Sequence, residues 1–192
     1  MSGSPVPPDV FALFELTPTF QLDAAALEER FFARSRELHP DRFVSAPAAQ
    51  RVAALSRSRA LNDAYQVLRK PVARAEYLLG RYGVTIGGNE RLAPEFLQEI
   101  LELREELAEA RVAKRMTEVS RLAAAMRARR KAAVDALGPL FAEIAPVPEI
   151  APTAVPAASA PVLERLKQQL IALRYLDRYL EECEAALDSD LE

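Results

Sequence analysis

ELHPDRF, Glu37 to Phe43, holds the only histidine of a 192-residue chain and sits where an amphipathic helical pattern stops. Pro40 disfavours helical torsion angles at His39 and has no amide proton of its own, so the chain must turn at His39-Pro40-Asp41. One helix is expected to run into this turn and another to leave it. The incoming helix starts after Asp23, a good N-cap, and ends at Leu38, with Leu27, Phe31, Ser35 and Leu38 spaced to share a face. The outgoing helix spans about Ala48 to Arg69, with Ala54, Ser58, Leu61, Tyr65 and Leu68 as its seam, and can pack antiparallel on the first.

Short flanking helices are predicted on either side of this pair, from Asp9 to Leu16 and from Val72 to Tyr82. The stretch GVTIGGNERLA, Gly83 to Ala93, has turn residues and no apolar period, so it is the expected domain boundary. Beyond Pro94, suited to a first helical turn, three longer amphipathic patterns follow. The first has Phe96, Ile100, Leu103, Leu107 and Ala110 as its stripe. The second runs from about Ala113 to Leu137 on Met116, Val119, Ala123, Met126 and Ala133. The third runs from Val162 to Leu187 on Leu166, Leu170, Leu173, Leu180 and Leu187. Three such stripes are most economically buried in a three-helix bundle. Between the last two lies APVPEIAPTAVPAASAP, Ala145 to Pro161, whose five prolines in seventeen residues exclude a helix. It is either an exposed linker or a Pro-rich ligand for another domain.

Composition agrees with an all-α fold of two small domains: half the residues are apolar, only six are glycine, and Ala and Leu dominate over Val and Ile. No apolar run reaches the roughly 18 residues of a membrane span, and MSGSPVPPD resembles no signal region, so a cytoplasmic location is expected. The net charge of −3 speaks against a broad nucleic-acid-binding surface. One cysteine, Cys183, and one histidine cannot supply a four-ligand zinc site, and no metal or cofactor is expected. Phosphate-loop, nucleophile-elbow, zincin and dinucleotide motifs are all missing, which makes an enzyme the unfavoured class.

The turn has a purely structural reading, in which Asp41 makes an Asx-type turn and His39 sits at a helix C-terminus where a cation is favoured. Its surroundings add more. A basic helix with Arg30, Arg34 and Arg36 precedes it, Phe43 follows, and the partner helix ends NDAYQVLRKP. Over about Asp9 to Tyr82 this resembles a J-domain, whose exposed HPD loop binds a DnaK-type chaperone. By that resemblance residues 1–83 form the J-domain, with His39, Pro40, Asp41, Arg30, Arg34 and Arg36 as the chaperone-binding set. For each arginine, simple solvation of the helix remains the alternative.

Two longer motifs, LNDAYQVLRKPVARAEYLL (Leu61 to Leu79) and FLQEILELREELAEA (Phe96 to Ala110), with the closing LRYLDRYLEE, are similar to the HscB family of co-chaperones of iron–sulfur cluster assembly. The resemblance implies an 84–93 linker and a 94–192 bundle that binds an IscU-type scaffold, while the J-domain stimulates an HscA- or DnaK-type ATPase.

The helical wheel draws attention to the same bundle surface. At about 100° per residue, Leu97 and Leu101 point away from the stripe of their helix, with Arg104, Glu105 and Ala108 continuing their face and Glu102 and Glu109 beside it. Ile171, Tyr175 and Tyr179 are expected to form an off-core strip on the last helix. The leucines are either a binding patch or a domain-packing surface. The family motif's scaffold contacts fall on Leu97, Leu101, Glu102, Glu105, Glu109 and Tyr175. Gln98 departs from it where an apolar residue is often found, and Tyr175 stands for a phenylalanine. A J-protein for another client, or a structural helical interaction protein, are the rival readings.

Overall fold

A computed structural model describes residues 9–87, 93–144, 146 and 158–188, and among these the regular elements are helical. The chain divides into two compact units, with the division falling between Leu78 and Leu79. The linker expected at 84–93 lies partly outside the described residues, as does most of the Pro/Ala-rich stretch 145–161.

In the first unit, α1 (Ala24–Leu38) begins where expected. The Asp23 carboxylate accepts the N–H groups of Ala25 at 2.9 Å and Ala26 at 3.2 Å, satisfying two of the orphan donors of the first turn. α2 (Ala48–Arg69) packs against α1, burying Leu27 with Ala54, Leu61, Ala64 and Leu68. Phe31 stacks on Tyr65 with ring centroids 4.1 Å apart. The expected helix from Asp9 to Leu16 is instead one 3-10 turn, η1 (Ala12–Phe14). Glu15 enters the left-handed region (φ 53°) and closes it on the Ala12 carbonyl. A segment that short cannot recover the cost of helix nucleation, and what fixes it is burial of Phe11 and Phe14. Asp9 serves as its cap, accepting from Phe11 and Ala12 N–H and from the Tyr77 hydroxyl at 2.9 Å.

α3 (Pro71–Arg81) carries Ala75, Leu78 and Leu79 in the interior. It ends in a left-handed cap at Gly83 (φ 79°), with the Val84 N–H returning to the Leu79 carbonyl, a conformation that glycine adopts without a Cβ penalty.

In the second unit, α4 (Pro94–Val112), α5 (Met116–Asp135) and α7 (Ala160–Asp188) pack mutually as a three-helix bundle. The α4–α5 turn uses Lys114 in the left-handed region, and the Arg115 N–H closes it on the Ala110 carbonyl at 2.8 Å. The single helix expected from Ala113 to Leu137 is therefore shortened at its start and broken at its end. Pro139 has no N–H for the carbonyl four residues earlier, and a short α6 (Leu137–Ala142) restarts instead, packed on α5 and α7. Of the predicted α4 stripe, Ile100, Leu107 and Ala110 are buried while Phe96 and Leu103 are partly exposed.

Ile171 and Tyr179 correct the sequence reading: both lie in the core, with only Tyr175 of that strip partly exposed. α7 touches α4, α5 and α6 and so buries a wider arc than one stripe.

Candidate functional site

Two exposed constellations stand out, one in each unit. In the first, His39 leaves the helix at ψ 128° because Pro40 follows, and a second 3-10 turn, η2 (Pro40–Phe43), begins at the proline, whose missing N–H costs nothing at that position. The imidazole Nδ1 of His39 accepts the Asp41 N–H at 3.3 Å, which places the neutral ring's proton on Nε2. The same Nδ1 is 3.5 Å from the Asp41 carboxylate. Both side chains remain largely in solvent, 55% and 84% exposed, so the pair shapes a presented turn and adds little stability. η2 packs against α2, which anchors the corner.

The three arginines differ. Arg30 donates to the carbonyls of Phe14 at 2.8 Å and Glu15 at 3.1 Å, tying α1 to the end of η1. Arg34 is paired with Glu15 and lies 3.8 Å from Glu37. Arg36 is exposed, its side chain free of carboxylates among the described residues. Two of the three are thus engaged by their own chain, which sequence spacing alone did not reveal.

In the second unit, α4 presents Leu97 and Leu101 at 38% and 60% exposure, outside the bundle core as the wheel predicted. Glu102, Glu105 and Glu109 are exposed on the same helix, and the Gln98 amide donates to Glu102 at 2.9 Å. Tyr175 meets Phe96 edge-to-face with centroids 6.3 Å apart, and the Arg129 guanidinium lies 5.4 Å above the Phe96 ring. Arg129 also holds Glu99 in a two-pronged ion pair whose second arm is 2.7 Å, and this hydrogen bonding keeps the Glu99 carboxyl below its usual range. Phe96, Glu99 and Arg129 were missed as a group because they lie on two different helices. Tyr179 is fully buried and donates its hydroxyl to the Leu103 carbonyl at 3.0 Å, fixing α7 against α4. Burial pushes its phenol well up, and Cys183, Glu106 and Glu182 add to the effect. Arg104 and Glu182 make a further α4–α7 tie at 2.8 Å.

Among the described residues no group of three or more His, Cys, Asp or Glu is arranged to hold a metal, and no helix is long and apolar enough to cross a membrane. Cys183 is buried and free.

A helical pair with a presented His-Pro-Asp corner, followed by a three-helix bundle, defines an all-helical chain of J-domain type with a C-terminal helical domain. Residues 92–184 match the family described as HSCB C-terminal oligomerisation domain. Two proteins named "Co-chaperone protein HscB homolog", from Vibrio vulnificus strains YJ016 and CMCP6, are each 45% identical over 101 residues, 52% of this chain. That match spans 59% of the length of these relatives. Chaperone HscB from Vibrio cholerae superimposes with a TM-score of 0.74 at 28% identity, over 95% of this chain and 99% of its own. Human co-chaperone protein HscB does so at 0.77 and 25% identity, over 96% and 84%. The chain is thus similar to the HscB family over residues 92–184 and shares the fold of solved HscB proteins over most of its length.

Proposed function

We propose that this protein is a co-chaperone that links an iron–sulfur scaffold to an ATPase chaperone in the cytoplasm. The bundle binds an IscU-type scaffold through Leu97 and Leu101, with Glu102, Glu105 and Glu109 beside them and Tyr175 at the margin. The J-domain offers His39, Pro40 and Asp41 to an HscA- or DnaK-type chaperone and accelerates its ATP hydrolysis. Arg36 steers that docking directly. Arg30 contributes through its remaining donors, and Arg34 by exchanging Glu15 for a partner carboxylate. The chain itself performs no catalysis and carries no cofactor; nucleotide and cluster belong to its partners. Holding both partners raises their effective concentration, so that client transfer and cluster assembly or delivery become intramolecular events.

The observation that supports this reading most directly is the exposed Leu97/Leu101 pair on a packed helix beside carboxylates, in a chain that also presents His39 and Asp41. Isothermal titration with scaffold and steady-state ATPase assays test the two ends separately. His39→Gln is expected to abolish stimulation and leave scaffold affinity unchanged. Leu97→Ala with Leu101→Ala is expected to weaken scaffold binding by about 2 kcal/mol or more, roughly thirtyfold, and to spare stimulation. Unchanged scaffold affinity in the leucine variant would remove the patch from the proposal.

A further inference from the structure

The outward face of α4 does not stop at the carboxylates. At about 100° per residue, Leu97, Leu101, Ala108 and Val112 fall within about 60° of one another, on the side away from Ile100, Leu107 and Ala110. All four are exposed, and Val112, at 87%, is the most exposed large apolar side chain among the described residues. From Leu97 to Val112 the strip is roughly 22 Å long, at 1.5 Å per residue.

Its charge changes sign along the way. Glu102, Glu105 and Glu109 line the middle, whereas Arg111, Lys114 and Arg115 follow with no Asp or Glu between Glu109 and Glu118. Arg115 interacts electrostatically with Glu118. Arg111 and Lys114 are exposed and meet no carboxylate among the described residues, although Arg104, Arg121, Arg127, Arg129, Arg130 and Arg165 of the same unit all do.

The favourable field at a helix C-terminus accounts for cations here, but not for an exposed valine among them. It also does not account for Lys114 at φ 51°, in a capping position that glycine commonly fills.

We infer that Arg111, Val112 and Lys114 form the far end of the scaffold-binding face and fix the direction in which the scaffold lies along α4. The inference rests on the scaffold-binding reading of Leu97 and Leu101. The scaffold surface that fits is apolar along its length, basic opposite Glu102, Glu105 and Glu109, and acidic opposite Arg111 and Lys114. Laid the other way round, it would bring like charges together, so the sign change selects one orientation. Val112 loses water only in the complex.

The test is isothermal titration of the full chain with purified scaffold, with folding followed by circular dichroism and size by sedimentation. Arg111→Glu with Lys114→Glu should weaken binding about tenfold, and Val112→Ser about fivefold. Exchanging the cations, Arg111→Lys with Lys114→Arg, should keep affinity near that of the parent. Added salt should reduce the difference between the parent and the charge-reversed variant. Lys114→Gly separates binding from folding: it relieves the left-handed cap and should raise the thermal midpoint, yet weaken binding about threefold.

If Leu97→Ala with Leu101→Ala weakens binding but the charge-reversed variant or Val112→Ser binds like the parent, the inference is overturned while the leucine patch stands. A Lys114→Gly protein that is more stable and binds like the parent overturns it too, leaving Lys114 as a cap alone. If the variants change the sedimentation of the chain without scaffold and leave its affinity unaltered, this end serves contact between copies, and the inference fails. Unchanged affinity in the leucine variant would remove the patch and this extension with it.

Discussion

The two exposed constellations are built by opposite means. At the corner after α1, backbone constraint does the work: Pro40 dictates where the helix stops, and the resulting turn puts His39 and Asp41 largely in solvent. On α4 no backbone break is involved. Leu97 and Leu101 are exposed because the bundle chooses another face of the same helix, held by Ile100, Leu107 and Ala110. A site made by a turn survives small changes in packing around it, whereas a site made by helical phase is only as well placed as the packing behind it. The α4 face should therefore be sensitive to substitutions in the core, and the corner should not.

The strongest way to break this contrast is to remove the side chain that fixes the phase. Tyr179 is fully buried and bonded to the Leu103 carbonyl. Tyr179→Ala should cost about 3 to 5 kcal/mol in bundle stability, as large aromatic truncations do, measured by urea unfolding. Tyr175→Ala, at the edge against Phe96, should cost about 1 kcal/mol. If the bundle binds a scaffold as proposed, affinity should fall in both, through lost order in the first and a lost contact in the second. Equal stability losses for the two tyrosines would mean that α7 is not set by Tyr179.

That difference also marks how far the sequence could be read. α1 and α2 were placed to the residue, because Asp23 and Pro40 are local signals and the apolar spacing is regular. The outward direction of Leu97 and Leu101 followed from period alone, since α4 lies at the side of the bundle. Ile171 and Tyr179 were misplaced because an i, i+4 spacing does not say how many neighbours a helix has, and α7 has three. The break between α5 and α6 follows from Pro139, a residue the sequence reading did not use, which has no N–H for the carbonyl four residues earlier. The pairing of Arg30 and Arg34 with the end of η1 depended on a tertiary contact between segments about fifteen residues apart, which no periodic rule reports.

A smaller effect separates the caps from the core. Asp23→Ala removes two hydrogen bonds from the start of α1 and should lower the stability of the first unit by about 1 kcal/mol. The bundle's scaffold affinity should be untouched, so any loss there would show that the two sites are less independent than their construction suggests.

Tyr179→Phe deletes only the hydroxyl and its bond to Leu103, so a loss of about 1 kcal/mol at neutral pH is expected. Its pH dependence carries more information. Burial raises the Tyr179 pKa above the ordinary value of 10.0, so near that pH the unfolded chain releases the proton while the folded chain keeps it. The stabilisation is complete below about pH 10 and is lost as pH rises toward the folded-state value. Tyr82 and Cys183, also raised by burial, act in the same direction. Unfolding experiments from pH 8 to 11 should therefore show a steeper alkaline loss in the parent than in Tyr179→Phe, with a residual slope from the other two groups. Identical slopes would place the Tyr179 hydroxyl in water.

The smallest expected stability change is the one with the sharpest functional contrast. Leu101 is 60% exposed on α4, so Leu101→Ser forfeits little buried area, and thermal unfolding should move stability by no more than about 0.5 kcal/mol. If Leu101 is a scaffold anchor, the same substitution removes an apolar contact formed only in the complex, and affinity should fall by about 1 to 2 kcal/mol. A residue that matters only for folding cannot give this pair of results, because a loss in binding would be preceded by a loss in stability. A stability loss as large as that expected for Tyr179→Phe would place Leu101 in a packing role, and the face chosen by helical phase would then belong to the fold and not to the partner.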